Sequence, residues 1–249
     1  MAQAKGMDQP KSTRYQNRCI GITGASGTLG CALTRCFRAS GAEVVGLTHR
    51  TPPEGQDDEG PHRWISWQCG EEAALDAELA QLDVLVLNHG INPKGGQSID
   101  DVNRALEINA LSSWRLMQRY EDISRRNVRE KPMEIWVNTS EAEIQPAVSP
   151  VYEISKRLLG QLVSLRGATR DPNERNQLII RKLILGPFRS DLNPIGIMDA
   201  NWVADQVLRQ AGWGLRLIIV TPNPLTYLLM PITELGRRAY SQILNHPGP

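Results

Sequence analysis

Tyr152 and Lys156 stand four residues apart in a segment of helical periodicity, so a phenol and an ammonium share one helix face. An ammonium beside a phenol is expected to lower its pKa from the usual value of about 10 and to ease proton exchange near neutral pH. Such a phenol serves as general acid in carbonyl reduction and as general base in alcohol oxidation. Ser140, upstream of Tyr152, offers a hydroxyl to a substrate oxygen as charge develops on it; Thr139 and Ser149 are competing hydroxyls. Taken singly, each residue has a structural alternative: Tyr152 packing at a helix start, Lys156 in solvent, Asn109 as a helix irregularity. A joint pattern outweighs them.

A second constellation surrounds a glycine-rich turn. The apolar run 19–23 leads into Thr23-Gly24-Ala25-Ser26-Gly27-Thr28-Leu29-Gly30, where an apolar helical pattern begins. Glycines permit a tight strand-to-helix turn and let backbone amides approach a pyrophosphate, while the helix N-terminus presents unpaired N–H groups and a positive dipole end. About twenty residues on, the next apolar run closes Thr48-His49-Arg50. An acid there would bind the ribose 2′-hydroxyl of NAD; its absence, with Arg50 following, favours the 2′-phosphate of NADP(H). A loop arginine facing solvent is the alternative.

The elements that must position these residues alternate along the chain. Strands are expected at 19–23, 43–47, 64–67, 84–87, 134–138, 178–185 and 216–220, with helices near 28–39, 72–80, 98–125, 151–168, 199–211 and 225–244. Near-continuous apolar strands joined by helical crossovers predict an α/β fold. This is a Rossmann-type doubly wound parallel sheet of about seven strands, with helices on both faces, in a single domain. We expect a flexible polar tail over 1–17, the nucleotide-binding domain over 18–222 and an amphipathic segment over 223–249.

The ordered set resembles the short-chain dehydrogenase/reductase family from about Arg18 to Val220. Tyr152 and Lys156 match its YxxxK motif, Ser140 its upstream serine and Asn109 its helix asparagine. Asn88-His89-Gly90 is similar to its turn beside the cofactor, and Gly186-Pro187-Phe188-Arg189-Ser190 to the segment that holds the nicotinamide amide. The resemblance implies that Lys156 also binds the nicotinamide ribose and that Asn109 positions a water in a proton relay. It implies nucleotide contacts from Thr23, Gly24, Ser26, Gly27, Thr28, Leu29, Gly30, Thr48, His49, Arg50, Asn88, His89, Gly90, Gly186, Phe188 and Ser190. The GxxGxxG spacing is that of extended and atypical members, whereas the usual acid after the third strand is replaced by Trp67-Gln68-Cys69-Gly70.

Composition narrows the function classes. The chain has 249 residues, a net charge of +1, 41% hydrophobic and 22% charged residues, ordinary for a soluble domain and without a general pull toward nucleic acid. No apolar stretch reaches the roughly 18 residues a membrane helix needs, and no apolar run follows the basic N-terminus as in a secretory signal. Cys19, Cys31, Cys36 and Cys69 form no CxxC pair, so no metal is expected. A cytoplasmic NADP(H)-dependent oxidoreductase interconverting a carbonyl and an alcohol is the leading expectation. The apolar flap Pro194, Ile195, Ile197, Met198 and Trp202 suggests a lipid, sterol or isoprenoid-like substrate.

Two other readings stay open: a non-catalytic NADP-binding regulator or scaffold, and a sugar-nucleotide epimerase or dehydratase. The latter fits the glycine spacing but fits poorly with a chain that ends soon after the seventh strand. Beyond it, Leu225, Leu228, Leu229, Ile232, Leu235, Ala239 and Ile243 recur at helical spacing around Pro231. That stripe either packs on the core or a second copy in a homo-oligomer, or covers the substrate mouth or makes a peripheral membrane contact. Pro231 is expected to kink the helix.

Overall fold

A computed structural model describes residues 13–50 and 59–244. Seven parallel strands form one sheet: β1 (Cys19–Thr23), β2 (Glu43–Thr48), β3 (Arg63–Ser66), β4 (Val84–Leu87), β5 (Met133–Ser140), β6 (Leu178–Leu185) and β7 (Leu217–Val220). Their spatial order, β3-β2-β1-β4-β5-β6-β7, places the reversal of winding between β1 and β4, where open α/β sheets bind ligands beyond the carboxyl ends of the strands. The predicted Rossmann-type sheet is the observed one.

Helices α1 (Thr28–Ala39) and α7 (Ala200–Gly212) cover one face, burying Leu33, Phe37, Val203 and Val207 against Ile20, Ile22, Val84 and Trp136. The opposite face packs against α2 (Asp76–Leu79), α4 (Ser112–Arg126) and α5 (Pro150–Thr169), with Leu116, Tyr120, Leu159 and Val163 on Leu85, Ile135 and Val137, while α3 (Ile99–Leu106) lies against α5. Each such buried side chain contributes about 1.5–3 kcal/mol. The segment before α2 is a single tight turn, so the connection from β3 to β4 is as short as the spacing of Cys69 and Asn88 required.

Local chemistry starts these helices where they start. Ser98 and Asp101 form a reciprocal cap on α3, each side chain accepting the other's backbone N–H at 3.1 Å. Asp199 caps α7 by accepting from Asn201 and Trp202. A short α6 (Pro172–Gln177), absent from the sequence reading, has its signal in Asp171-Pro172, a cap followed by proline at the first helical position. The expected helix over 98–125 is two helices joined by a π-helical turn, Glu107–Leu111, that carries Asn109; such turns accumulate at functional sites.

The expected tail ends sooner than residue 17. Tyr15 is fully buried, its ring 5.3 Å from Phe37 and 5.7 Å from Trp136. Beside it, Glu134 accepts from Arg14, Arg18, Trp136 and Arg181. Burial works to raise the Glu134 pKa, but Arg181, Trp136 and Arg18 override it and hold the carboxyl at about 2. The tail reading for 1–12 lies outside the described residues.

The last helix, α8 (Pro224–Leu244), continues through Pro231. Its inner face is Thr226, Met230 and Glu234, whereas Leu225, Leu228, Leu229, Ile232 and Leu235 are exposed. The apolar stripe therefore does not pack on the chain's own core. Lys182 of β6 is the reason: it is buried, and it donates to Glu143 at 2.6 Å, Glu234 at 2.8 Å and Ser164 at 2.8 Å. Glu143 and Glu234 together hold this buried ammonium, and a helix that turns Glu234 inward to reach it turns the leucines out. No helix among the described residues is long and apolar enough to cross a membrane.

Candidate active site

The glycine turn lies at the carboxyl end of β1. Thr23 is fully buried there; its hydroxyl donates to the Val86 carbonyl and accepts from the backbone N–H groups of Asn88 and His89, at 2.9 and 3.2 Å. Thr23 thus ties the end of β1 to the end of β4. Gly24 has φ +63°, and a Cβ on it would lie 2.9 Å from the His89 Cα. Gly30 packs so closely that a Cβ would reach 2.2 Å from the Gly24 carbonyl oxygen. Gly27 caps α1 without any side-chain hydrogen bond, and Gly27 and Thr28 are exposed. This open helix N-terminus behind a side-chain-free turn fits the pyrophosphate of a dinucleotide. Ser26 is half-buried and Leu29 buried beneath the turn.

Gly24 donates to the Leu47 carbonyl of β2 at 2.9 Å, so the end of β2 emerges beside the cradle. Thr48 is buried and accepts the Arg50 backbone N–H at 3.1 Å, while His49 and Arg50 are exposed. Thr48, His49 and Arg50 thus stand beside the glycine turn at the carboxyl end of β2.

Asn88, His89 and Gly90 follow β4. His89 Nδ1 lies 2.8 Å from the Thr23 hydroxyl, and its ring meets Trp67 edge-on at 5.3 Å. Burial, and then the Lys156 charge, pull the His89 pKa down to about 3, so the imidazole is neutral near pH 7. Asn109, fully buried in the π-helical turn, accepts from Ile91 N–H at 2.7 Å and donates to the Ile91 carbonyl at 2.9 Å and to Ser155 Oγ at 2.8 Å. Its side chain clamps the loop after β4 to α5.

Ser140 closes β5, and α5 carries Tyr152 and Lys156 back over it. Ser140 accepts from the Ala142 N–H at 3.2 Å, and its hydroxyl faces the Tyr152 phenol closely enough to influence its pKa. Lys156 is buried, donates to the Asn138 carbonyl at 3.0 Å, and lies 5.9 Å from the centre of the Tyr152 ring. The expected depression of the phenol pKa is not what this environment produces. Burial pushes the Tyr152 pKa up, and the nearby Ser140 hydroxyl works against it. Burial also lowers the Lys156 pKa to about 8, opposed by Glu143.

The competing hydroxyls separate: Thr139 donates to Leu183 inside the sheet, whereas Ser149 is buried without a partner.

After β6, Gly186 donates to Val220 at 2.9 Å, Phe188 pairs with Met198, and Ser190 Oγ accepts from Asn193 N–H at 3.2 Å. The flap that follows exposes Leu192, Ile195, Ile197 and Trp202 while Met198 is buried. Asn92 donates to the Leu192 carbonyl at 3.1 Å, holding the flap against the loop after β4.

Sequence reasoning missed two residues here. Ser155 receives Asn109 and donates to the Tyr152 carbonyl at 2.8 Å; its signal was its place one turn from Tyr152 on the same helix face. Asn138 accepts Lys156 through its carbonyl and donates through its amide to Asn88 at 2.9 Å; nothing local distinguished it. Among the described residues no cluster of metal ligands occurs.

Comparison with known proteins accords with this geometry. Residues 20–132 match the model of the NAD dependent epimerase/dehydratase family. The chain is 42% identical over 218 residues to a monoglucosyldiacylglycerol epimerase from Synechocystis sp.; the alignment covers 86% of this chain and 52% of that protein, so the chain spans about half the relative's length.

Among solved structures, a short chain dehydrogenase from Burkholderia cenocepacia in complex with NADP superposes with a TM-score of 0.70 at 16% identity, covering 94% of this chain and 99% of that one. The bulky-bulky ketone specific alcohol dehydrogenase of Comamonas testosteroni gives 0.71 at 16%, covering 93% and 97%. The aldohexose dehydrogenase of Thermoplasma acidophilum, ligand-free, gives 0.68 at 17%, covering 84% and 94%. At these identities the likeness is one of fold. The resemblance read from the motifs accords with these likenesses: residues 20–132 are similar to the NAD dependent epimerase/dehydratase family, most of the chain is similar to half of a glycolipid epimerase, and its fold is that of the short chain dehydrogenases.

Proposed function

We propose that the chain is a pyridine-nucleotide-dependent oxidoreductase that interconverts a secondary alcohol and a carbonyl on the sugar of a glycolipid, in the manner of an epimerase. The observation that carries this reading is the meeting of Ser140, Tyr152 and Lys156 at the same strand edge as the glycine turn. The nucleotide, when bound, supplies hydride acceptor and donor chemistry. Tyr152 takes the proton from the sugar hydroxyl and returns it to the oxygen when the ketone is reduced. Ser140 donates a hydrogen bond to that oxygen, and the Lys156 ammonium stabilises negative charge as it develops on the phenol. Asn109 keeps the loop after β4 and α5 in register by its three hydrogen bonds.

The exposed apolar flap, Leu192, Ile195, Ile197 and Trp202, supports an acyl-bearing substrate, as does the glycolipid named for the relative. Arg50, at the end of β2 with no acid beside it, supports NADP(H) over NAD(H). The epimerase reading, disfavoured on chain length by sequence alone, gains from the family model and the relative.

The test is incubation with monoglucosyldiacylglycerol and nicotinamide nucleotide deuterated at the hydride position. Epimerised lipid, or deuterium delivered from the reduced nucleotide to the sugar carbon of the lipid ketone, is the expected result. A chain that binds the nucleotide but yields neither product would instead be the non-catalytic regulator.

A further inference from the structure

At the opposite edge of the sheet, where β6 and β7 begin, five cationic side chains line one cavity. Arg170 follows α5, Arg175 belongs to α6, Lys182 to β6, Arg216 precedes β7, and Arg238 lies on α8; a single carboxylate, Glu234, joins them. The space is about 50 Å³; about 10–15 Å³ admits one water, so the cavity takes a few waters or one phosphate-sized group.

The charges here are not balanced from within. Lys182 is held by Glu143 and Glu234, and Glu234 is engaged besides by Ser164 and Arg237, so the cations left to account for are the arginines. Arg170 has Glu121 and Glu174 only at 3.9 Å. The buried Nε atoms of Arg170 and Arg175 have no hydrogen-bond partner, a costly condition for a guanidinium donor. Arg216 and Arg238 make no ion pair with a described residue. Burial lowers the Arg216 pKa, and Arg175, Arg181 and Arg238 lower it further, the mark of cations crowded without a counter-ion. Guanidinium groups in this setting match the oxygens of a phosphate.

The surface beside the cavity indicates where that phosphate comes from. Leu225, Leu228, Ile232 and Leu235 lie three or four residues apart along α8 and are 57–63% exposed. Arg238 follows Leu235 by three residues, so cavity rim and apolar stripe adjoin. The one acid of α8, Glu234, is buried, leaving an outer face that is apolar and flanked by positive charge. Such a face suits the headgroup boundary of an anionic bilayer.

We propose that this cavity binds the phosphate of an anionic phospholipid and seats the chain on a membrane surface, with the outer face of α8 in the bilayer interface. The proposal does not rest on the hydride-transfer reading. The site lies at the amino ends of the strands, away from Tyr152, and delivers no residue to the chemistry.

The experiment is flotation of the full chain with phosphatidylcholine vesicles, with and without phosphatidylglycerol, for the wild type, Arg216→Gln/Arg238→Gln and Leu228→Gln/Leu235→Gln. Nucleotide binding and circular dichroism serve as controls for folding. Wild type should float with phosphatidylglycerol vesicles, and the double arginine variant should bind them roughly 30-fold more weakly. The leucine variant should lose flotation while remaining folded and unchanged in mass. Three outcomes would overturn the proposal. One is equal flotation of wild type and the arginine variant. Another is no flotation at all while inorganic phosphate stabilises the chain against heat, which would assign the cavity to a soluble phosphate. The third is a wild-type dimer that the leucine variant dissociates with flotation unaltered, which would assign α8 to a second copy.

Discussion

Lys156 donates to the Asn138 backbone carbonyl at 3.0 Å, which ties the helix bearing the candidate acid to the strand that ends in Ser140. The same ammonium sits 5.9 Å from the Tyr152 ring centre and is buried. Burial, opposed by Glu143, holds its pKa near 8.

That value has a consequence for stability. Between about pH 8 and 10.5 the unfolded chain keeps a proton on Lys156 that the folded chain has lost, so stability rises with pH through that window. In Lys156→Met the contribution is absent. Urea unfolding at pH 7 and pH 9.5 should show wild type gaining about 2 kcal/mol relative to the variant. Parallel behaviour of the two would show that Lys156 titrates normally.

Tyr152→Phe should reduce turnover by about 10²–10⁴-fold while leaving nucleotide affinity within a few-fold. The phenol contributes a proton, whereas the glycine turn and the start of α1 hold the dinucleotide. Because burial raises the phenol pKa, wild-type activity in the alcohol-oxidising direction should climb with pH through the neutral range. A flat profile, or a variant as active as wild type, would remove Tyr152 from the proton transfer.

Arg50→Ala tests cofactor choice. Loss of a charge-assisted contact of roughly 1.5–3 kcal/mol should weaken NADPH about 10- to 100-fold in fluorescence titration and leave NADH nearly unchanged. Equal losses would show that the exposed guanidinium does not read the 2′-phosphate.

Asn109→Ala removes the partner of Ile91 N–H, the Ile91 carbonyl and Ser155 Oγ together. Leaving buried groups unsatisfied costs about 1–3 kcal/mol each, so unfolding free energy should drop by at least that amount. Asn109→Asp, which keeps the acceptor toward Ile91 N–H, should recover part of it. A residue that serves only to place a water would lower turnover in both variants with no loss of stability.

A fifth substitution probes the cradle. In Gly30→Ala the new Cβ meets the Gly24 carbonyl oxygen at 2.2 Å, so the turn must open. We expect a loss of about 1–3 kcal/mol, typical of overpacking, together with a fall in nucleotide affinity measured by calorimetry. Unimpaired binding would dissociate the turn from the pyrophosphate.

The sequence by itself determined what depends on near neighbours. Apolar runs at 19–23, 84–87 and 178–185 mark strands because both faces of a parallel sheet are covered. The alternation with helices dictates the crossover fold, and Gly24 and Gly30 could be assigned because only a missing side chain serves such a turn. The set Ser140, Tyr152 and Lys156 was legible because Ser140 closes a strand and the other two share one helix face, whereas the π-helical turn that carries Asn109 was not foreseen.

Tertiary structure decided what depends on charges and voids far apart in the chain. That Tyr15 belongs to the core follows from Phe37 and Trp136, and no periodicity near residue 15 announces them. The rise rather than fall of the Tyr152 pKa follows from the depth at which the phenol is buried and from the distance at which Lys156 is held. The outward turn of the α8 leucines is the clearest case. Helical spacing showed that α8 has an apolar face, but it took Lys182, 52 residues from Glu234 and buried in the sheet, to decide which face points in. Glu234 joins Glu143 on that buried ammonium, so the side of α8 that carries Glu234 is the side that faces the sheet.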